Sequence, residues 1–176
     1  MKKIYIVVSR TGTLLSKMIH LITKDEYTHA SLALSPELEI MYSFGRKNPL
    51  NPFIGGFVVE GKNTGTFKRF KNTRVKVLEL DVTEEEYERI QDSIIDFIKN
   101  KNAYRYNYEG LLLAVFDVNI EKRNAYYCSQ FVKSVLERNN VIASSQLPDI
   151  TSPNDFLSLN YSNILYQGML REYSYT

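Results

Sequence analysis

Three things are scarce in this chain of 176 residues: it has one cysteine, two histidines and no tryptophan. The lone thiol, Cys128, cannot close an intramolecular disulfide, which excludes the disulfide-stapled secreted class. It also cannot supply the several thiolates of a structural zinc site. An excess of one charge is missing as well, since 22 Lys and Arg face 20 Asp and Glu, for a formal net charge of +2. That balance provides no electrostatic footprint for nucleic acid or for an anionic membrane surface. The apolar run Ile4–Val8 is too short for a secretory signal, and Arg10 follows too soon. Nothing approaches the roughly 18 apolar residues of a membrane span. The expectation is a protein of the reducing cytoplasm, with no nucleic-acid partner and no integral membrane segment.

What is present is a globular composition, 44% hydrophobic and 24% charged, with 13 tyrosines. Ile4–Val8 reads as a buried strand rich in β-branched residues. The polar turn Ser9–Gly12 leads to Leu14, Leu15, Met18, Ile19 and Ile22, whose offsets of three and four mark an amphipathic helix. His29–Leu34 and Leu38–Phe44, separated by Ser35-Pro36-Glu37, read as a hairpin, and Gly45–Gly56, with its glycines, prolines and asparagines, as a loop. Phe57–Glu60 and Val75–Leu80 are further strands. Between them Lys68, Arg69, Lys71 and Arg74 alternate with Phe67, Phe70 and Val75, the pattern of a solvated strand face.

Helices dominate after residue 82. Thr83-Glu84-Glu85-Glu86 is a capping box, which accounts for the acidic run, and Tyr87, Ile90, Ile94, Phe97 and Ile98 form the stripe of its helix. Tyr108–Val115 fits a short buried helix, and another starts near Cys128 and carries Phe131, Val132, Val135 and Leu136. Ser152–Asp155 suggests one more helical turn and Ile164–Leu170 a closing strand. The fold class expected is α+β, with a mostly antiparallel sheet packed against helices, in one domain spanning 1–176.

The chemistry concentrates in Tyr126-Tyr127-Cys128-Ser129-Gln130-Phe131-Val132. A thiol in the first turn of a helix faces the positive end of the helix dipole and unpaired amide hydrogens, an environment that favours the thiolate. Those amides are also suited to holding an oxyanion. A free cysteine is otherwise a small buried hydrophobe, and the residues alone leave both readings open. His29 opens a strand beside the small Ala30 and Ser31, whereas His20 lies between Ile19 and Leu21 on a helix. His29 and Cys128 make a candidate base–nucleophile couple.

Thr28-His29-Ala30-Ser31-Leu32-Ala33-Leu34 together with Tyr127-Cys128-Ser129-Gln130-Phe131-Val132 resembles the circularly permuted, YiiX-like branch of the NlpC superfamily of papain-like amidases. In that branch the His-bearing strand precedes the Cys-bearing helix. The resemblance spans roughly residues 1–170 and implies a papain-like domain acting as a thiol hydrolase. Cys128 would attack an amide carbonyl, His29 would move the proton, and the Cys128 amide would donate to the oxyanion.

In such proteins the strand after the His strand supplies a polar group that orients the imidazole. Here it carries Tyr42 and Ser43 at the relevant place, weaker partners for an imidazolium than a carboxylate, while Glu39 shares the Ser43 face. Tyr126 and Tyr127 flank the nucleophile as candidate cleft residues. Arg46, in the expected loop with Lys47, is a candidate to pair a substrate carboxylate or phosphate.

The implied substrate is a small peptide, isopeptide or lipid-linked amide, with no cofactor and no metal, handled by a monomer or weak dimer. Lecithin:retinol acyltransferase-like acyltransferases and phospholipases share the permuted order but favour Asn-Cys-Glu-His at the nucleophile, unlike Tyr127-Cys128-Ser129-Gln130. An inactive binding module on the same fold is the third reading, motivated by the missing strong orienting group near Tyr42.

Overall fold

The run Ile4–Val8 is apolar at every position because its strand is covered on both faces. β1 (Lys2–Arg10) lies inside a six-stranded sheet, and Ile4 through Ser9 are buried without interruption. The computed structural model describes residues 1–48, 51–114, 116, 118–120, 122–160 and 162–175, with backbone alone at 14, 15, 18, 19, 22, 48 and 51–53. Gly12, at φ +72°, makes the turn into α1 (Leu14–Thr23), and the Thr13 side chain caps that helix by accepting from the Ser16 amide at 3.2 Å. The side chains of its expected stripe lie outside the described residues.

The chain returns antiparallel through β2 (His29–Ala33), then β3 (Met41–Asn48) and β4 (Asn51–Glu60). A short α2 (Gly65–Arg69) precedes β5 (Arg74–Val82), which pairs with the other side of β1. α3 (Glu84–Lys99) follows, then the two-residue β6 (Arg105–Tyr106), α4 (Tyr108–Ala114), β7 (Ala125–Tyr126), α5 (Cys128–Arg138) and β8 (Ser162–Met169). The sheet runs β4-β3-β2-β1-β5-β8 with every neighbour antiparallel, whereas β6 and β7 pair in parallel. The molecule is thus α+β with a mostly antiparallel sheet.

Strand alternation divides the core into two. Ile4, Ile6, Val8, Ala30, Leu32 and Phe44 face a large cluster with Ile90, Ile94 and Phe97 of α3 and Phe131, Val132, Val135 and Leu136 of α5. Tyr5, Val7, Ala33, Val75 and Val77 face a smaller one that includes Phe67 and Leu170. The centre of the larger cluster is aromatic: Phe44 lies 5.2 Å from Tyr126 and 5.9 Å from Phe57, and Phe97 lies 5.0 Å from Phe131 and 4.6 Å from Tyr104. The edge-to-face pairs among these, Phe44 with Tyr126 and Phe57 and Phe97 with Phe131, add to the burial of large apolar area.

Several expected elements shift. Residues 45–48 and 51–56 are not loop but the ends of a hairpin, and β4 is an edge strand, where proline and glycine are tolerated. Pro49 and Leu50 lie outside the described residues, as does Val115, the expected end of the short helix. The expected strand over residues 38–40 is absent: Leu38 sits at φ +56° and β3 begins at Met41. Phe67–Arg69 is helical rather than a strand face, with Phe67 turned into the smaller core. α4 forms as expected, yet only its Gly110 is buried and Leu112 is exposed. Ile98 of α3 likewise faces outward. Among the described residues no helix is long and apolar enough to cross a membrane.

Candidate active site

α5 starts at Cys128 because Gln130 reaches back to the Tyr127 amide at 3.2 Å while Phe131 makes the first intrahelical bond, to the Tyr127 carbonyl at 3.0 Å. The Ser129 hydroxyl pins this turn by donating to the Thr151 carbonyl at 2.6 Å. The amides of Cys128, Ser129 and Gln130 therefore belong to the open first turn. The Cys128 side chain is 3% exposed.

His29 begins β2, next to Ser9 of β1, and its imidazole lies near enough to Cys128 for the two to interact electrostatically. Its Nε2 faces a carboxylate: Glu60 Oε2 lies at 3.0 Å and Oε1 at 3.2 Å. The Ser31 hydroxyl donates to the same Oε2 at 2.8 Å. With Nε2 committed to Glu60, Nδ1 is the nitrogen left for the thiol. Imidazole and carboxylate are thus in contact, with Cys128 close to the ring.

Sheet geometry explains how a residue of β4 reaches one of β2. Alternation puts His29 and Ser31 on one face. Leu32 pairs with Tyr42, and continuing that register places Ser43 beside Ser31 and Gly45 beside His29. Glu60 pairs with Met41 on the far side of β3, on the same face. The carboxylate passes over the small residues of β3 to meet the imidazole. A Cβ at Gly45 would lie 3.8 Å from Glu60 Oε1 and 3.9 Å from His29 Cε1, so a larger side chain there would wedge the pair apart.

Both members of the pair are mostly enclosed, with side chains 18% and 17% exposed. Burial pulls the imidazole toward neutrality, but the Glu60 charge, the neighbouring Cys128 and the hydrogen bond that Glu60 accepts overcome it and hold its pKa well above the ordinary histidine value. Burial likewise opposes the Glu60 charge, and His29 together with the Ser31 hydroxyl overrides it, lowering the carboxyl below its usual value.

The other residues singled out from sequence divide. Arg46 borders the same cavity as His29 and Glu60. Tyr42 does not orient His29: its ring stacks on Phe57 at 6.3 Å, on the large-cluster side of the sheet. Ser43 does not either, because its buried hydroxyl donates to the Ala30 carbonyl at 2.6 Å. Tyr126 packs into the aromatic cluster, with its hydroxyl accepting from Arg138 at 2.6 Å, and borders a separate hollow of about 550 Å³ along the outer side of α5. Tyr127 is buried at the start of α5. Glu39 pairs with Lys62 at 3.4 Å, away from the site. His20 hydrogen-bonds the Asp25 carbonyl and approaches Arg10.

Two residues join that sequence reading did not single out. One is Glu60, whose signal was a lone carboxylate closing the strand Phe57–Glu60. The other is Tyr106, which borders the cavity and is brought in by the parallel pairing with Tyr126. Burial raises its phenol well above the ordinary value, with Cys128 adding to that effect and Arg46 opposing it.

Among the described residues no group of three or more His, Cys, Asp or Glu is placed to hold a metal ion. No protein-family model matches the chain. No curated protein matches it.

Proposed function

We propose that the chain is a cysteine hydrolase of the circularly permuted papain-like type, cleaving an amide bond with Cys128 as nucleophile. The observation that carries this reading is the His29–Glu60 pair, 3.0 Å from ring nitrogen to carboxylate, with Cys128 nearby at the open start of α5. A thiol at an open helix start, an imidazole near it and a carboxylate bonded to that imidazole are the parts that acyl transfer through a thiol requires. The antiparallel sheet with the Cys-bearing helix packed on it agrees with the expected fold.

In this reading the Cys128 proton has already passed to His29 before attack, and the thiolate Sγ bonds the carbonyl carbon. Glu60, on Nε2, stabilises the imidazolium so formed and fixes the ring plane. The oxyanion develops toward the Cys128 amide at the open turn of α5. Collapse breaks the C–N bond, and His29 returns its proton to the leaving amine. Water, deprotonated by His29, then attacks the thioester and releases the acid and the free thiol. Glu60, from β4, supplies His29 with the carboxylate partner that is missing near Tyr42.

The test uses p-nitrophenyl acetate as acyl donor. Expected are a burst of p-nitrophenolate, an acetyl adduct on Cys128 by peptide mass mapping, discharge of that adduct by water, and loss of all three in Cys128→Ala. Absence of a Cys128 adduct, or acylation spread over lysines, overturns the proposal. Discharge only upon addition of an amine or lipid acceptor assigns the chain to the acyltransferase class instead.

A further inference from the structure

A recess of about 70 Å³ opens beside His29 between the start of α1 and the β3–β4 hairpin, with Arg46 at its border. Its size suits one small polar group, about the space of two water molecules at ~30 Å³ each, and not an acyl chain. Four buried hydroxyls share its lining with Phe44 and Phe67. Thr11, Thr13, Ser16 and Thr28 are each less than 10% exposed. Thr13 Oγ1 already accepts from the Ser16 amide at 3.2 Å and from Thr11 Oγ1 at 3.4 Å, so its remaining capacity is its own hydrogen. Ser16 Oγ and Thr28 Oγ1 share one hydrogen bond of 2.7 Å, which uses one of their two hydrogens and leaves the other to donate. Among the described residues Arg46 pairs with no carboxylate, and the only acid at the recess, Glu60, is taken by His29 and Ser31. The Arg46 guanidinium, unpaired with any carboxylate, and the free Thr13 hydrogen beside it suit a carboxylate as partner.

We infer that this recess is the specificity subsite of the proposed hydrolase: it takes a carboxylate of the substrate, held by the Arg46 guanidinium and the Thr13 and Ser16/Thr28 hydroxyls, close to the scissile carbonyl. The inference rests on the hydrolase reading above and narrows its substrate to acidic amides, such as peptides with a free carboxylate next to the cleaved bond.

Two isosteric thiol reagents test it without knowledge of the natural substrate. Iodoacetate and iodoacetamide both lose iodide to the Cys128 thiolate, and only the first carries a carboxylate. The quantity read is the ratio of their rates at fixed pH and ionic strength, relative to the same ratio for glutathione. The intact protein is expected to favour iodoacetate over the glutathione reference by about tenfold, and Arg46→Gln to remove most of that preference, as for loss of one charge-assisted hydrogen bond. Acetate is expected to protect Cys128 in the unmodified protein, a measurement that does not depend on the variant's folding. An iodoacetamide reaction that is slow and indifferent to His29→Ala refutes the hydrolase reading itself. A His29-dependent reaction with no preference for iodoacetate, or with a preference that survives Arg46→Gln, refutes the carboxylate subsite alone. Stronger protection by inorganic phosphate than by acetate also overturns it, in favour of a phosphate site.

Discussion

Glu60→Gln keeps the volume and hydrogen-bonding reach of the side chain but removes its charge, so it isolates what the carboxylate does for His29. The carboxylate receives Nε2 of His29 at 3.0 Å and the Ser31 hydroxyl at 2.8 Å, with both ionic partners less than one-fifth exposed. Hydrogen bonds to charged groups in such enclosed surroundings contribute about 1.5–3 kcal/mol, and leaving a buried charge unpaired costs more. The variant is therefore expected to lose about 2 kcal/mol, or roughly 4–8 °C in Tm for a chain of this length.

The loss depends on pH, with a sign set by the two shifts. His29 is raised, so its share is complete below the ordinary histidine pKa and disappears as pH climbs through the folded value. Glu60 is lowered, so its share is complete above the ordinary carboxyl value and disappears as pH falls through the folded one. The stability difference between the unmodified protein and Glu60→Gln is thus largest from about pH 4.5 to 6.5 and shrinks in alkali. Urea denaturation of both proteins at pH 5.5, 7.5 and 9.5 measures it. A difference that stays constant or grows with pH refutes a charged His29–Glu60 pair.

Other substitutions separate the site from its frame. Tyr42→Phe is expected to leave thiol alkylation within about twofold, because the Tyr42 ring stacks on Phe57 away from His29, whereas Ser43→Ala is expected to cost about 1 kcal/mol of stability through the bond to Ala30. A tenfold fall in alkylation with Tyr42→Phe would return Tyr42 to the site. Phe44→Ala opens a cavity at the centre of the aromatic cluster and is expected to cost about 3–5 kcal/mol in denaturant titrations. Gly55→Ala places a Cβ 2.6 Å from Tyr108 Oη and 2.7 Å from Tyr106 Cβ, so it is expected to destabilise by about 1–3 kcal/mol and to displace Tyr106 from Cys128, lowering alkylation as well. Full stability in that variant would contradict the close packing of β4 on Tyr106.

Cys128 and His29 were legible as candidates because each sits in a short local pattern: Cys128 where an apolar helical stripe begins, His29 where a strand opens among small residues. Glu60 was not, since it is 31 positions from His29 in sequence and meets it across an intervening strand. Only the sheet order and the register through Leu32 and Tyr42 bring them together, and neither is written in the periodicity of one strand. The hairpin ends at 45–48 and 51–56 read as a loop for a related reason. Gly55 and Gly56 serve close approach rather than turning: added Cβ atoms would strike Tyr106 and Tyr108 at one and the Tyr104 carbonyl at the other. Tyr106 itself depends on a two-residue parallel pairing too short to leave a pattern. The tyrosine excess is partly explained, with Tyr104 and Tyr126 in the aromatic core and Tyr106 at the border of the cavity.

The reactivity of Cys128 toward iodoacetamide as a function of pH tests the central claim most directly, with the unmodified protein, His29→Ala and a glutathione reference in parallel. A thiol coupled to an imidazole reacts well below the range near pH 8.5 where free thiols do. The account predicts that at pH 6 Cys128 outpaces glutathione by about tenfold or more, and that His29→Ala abolishes the advantage while the protein stays folded. A Cys128 that follows the glutathione profile and ignores His29→Ala would contradict it.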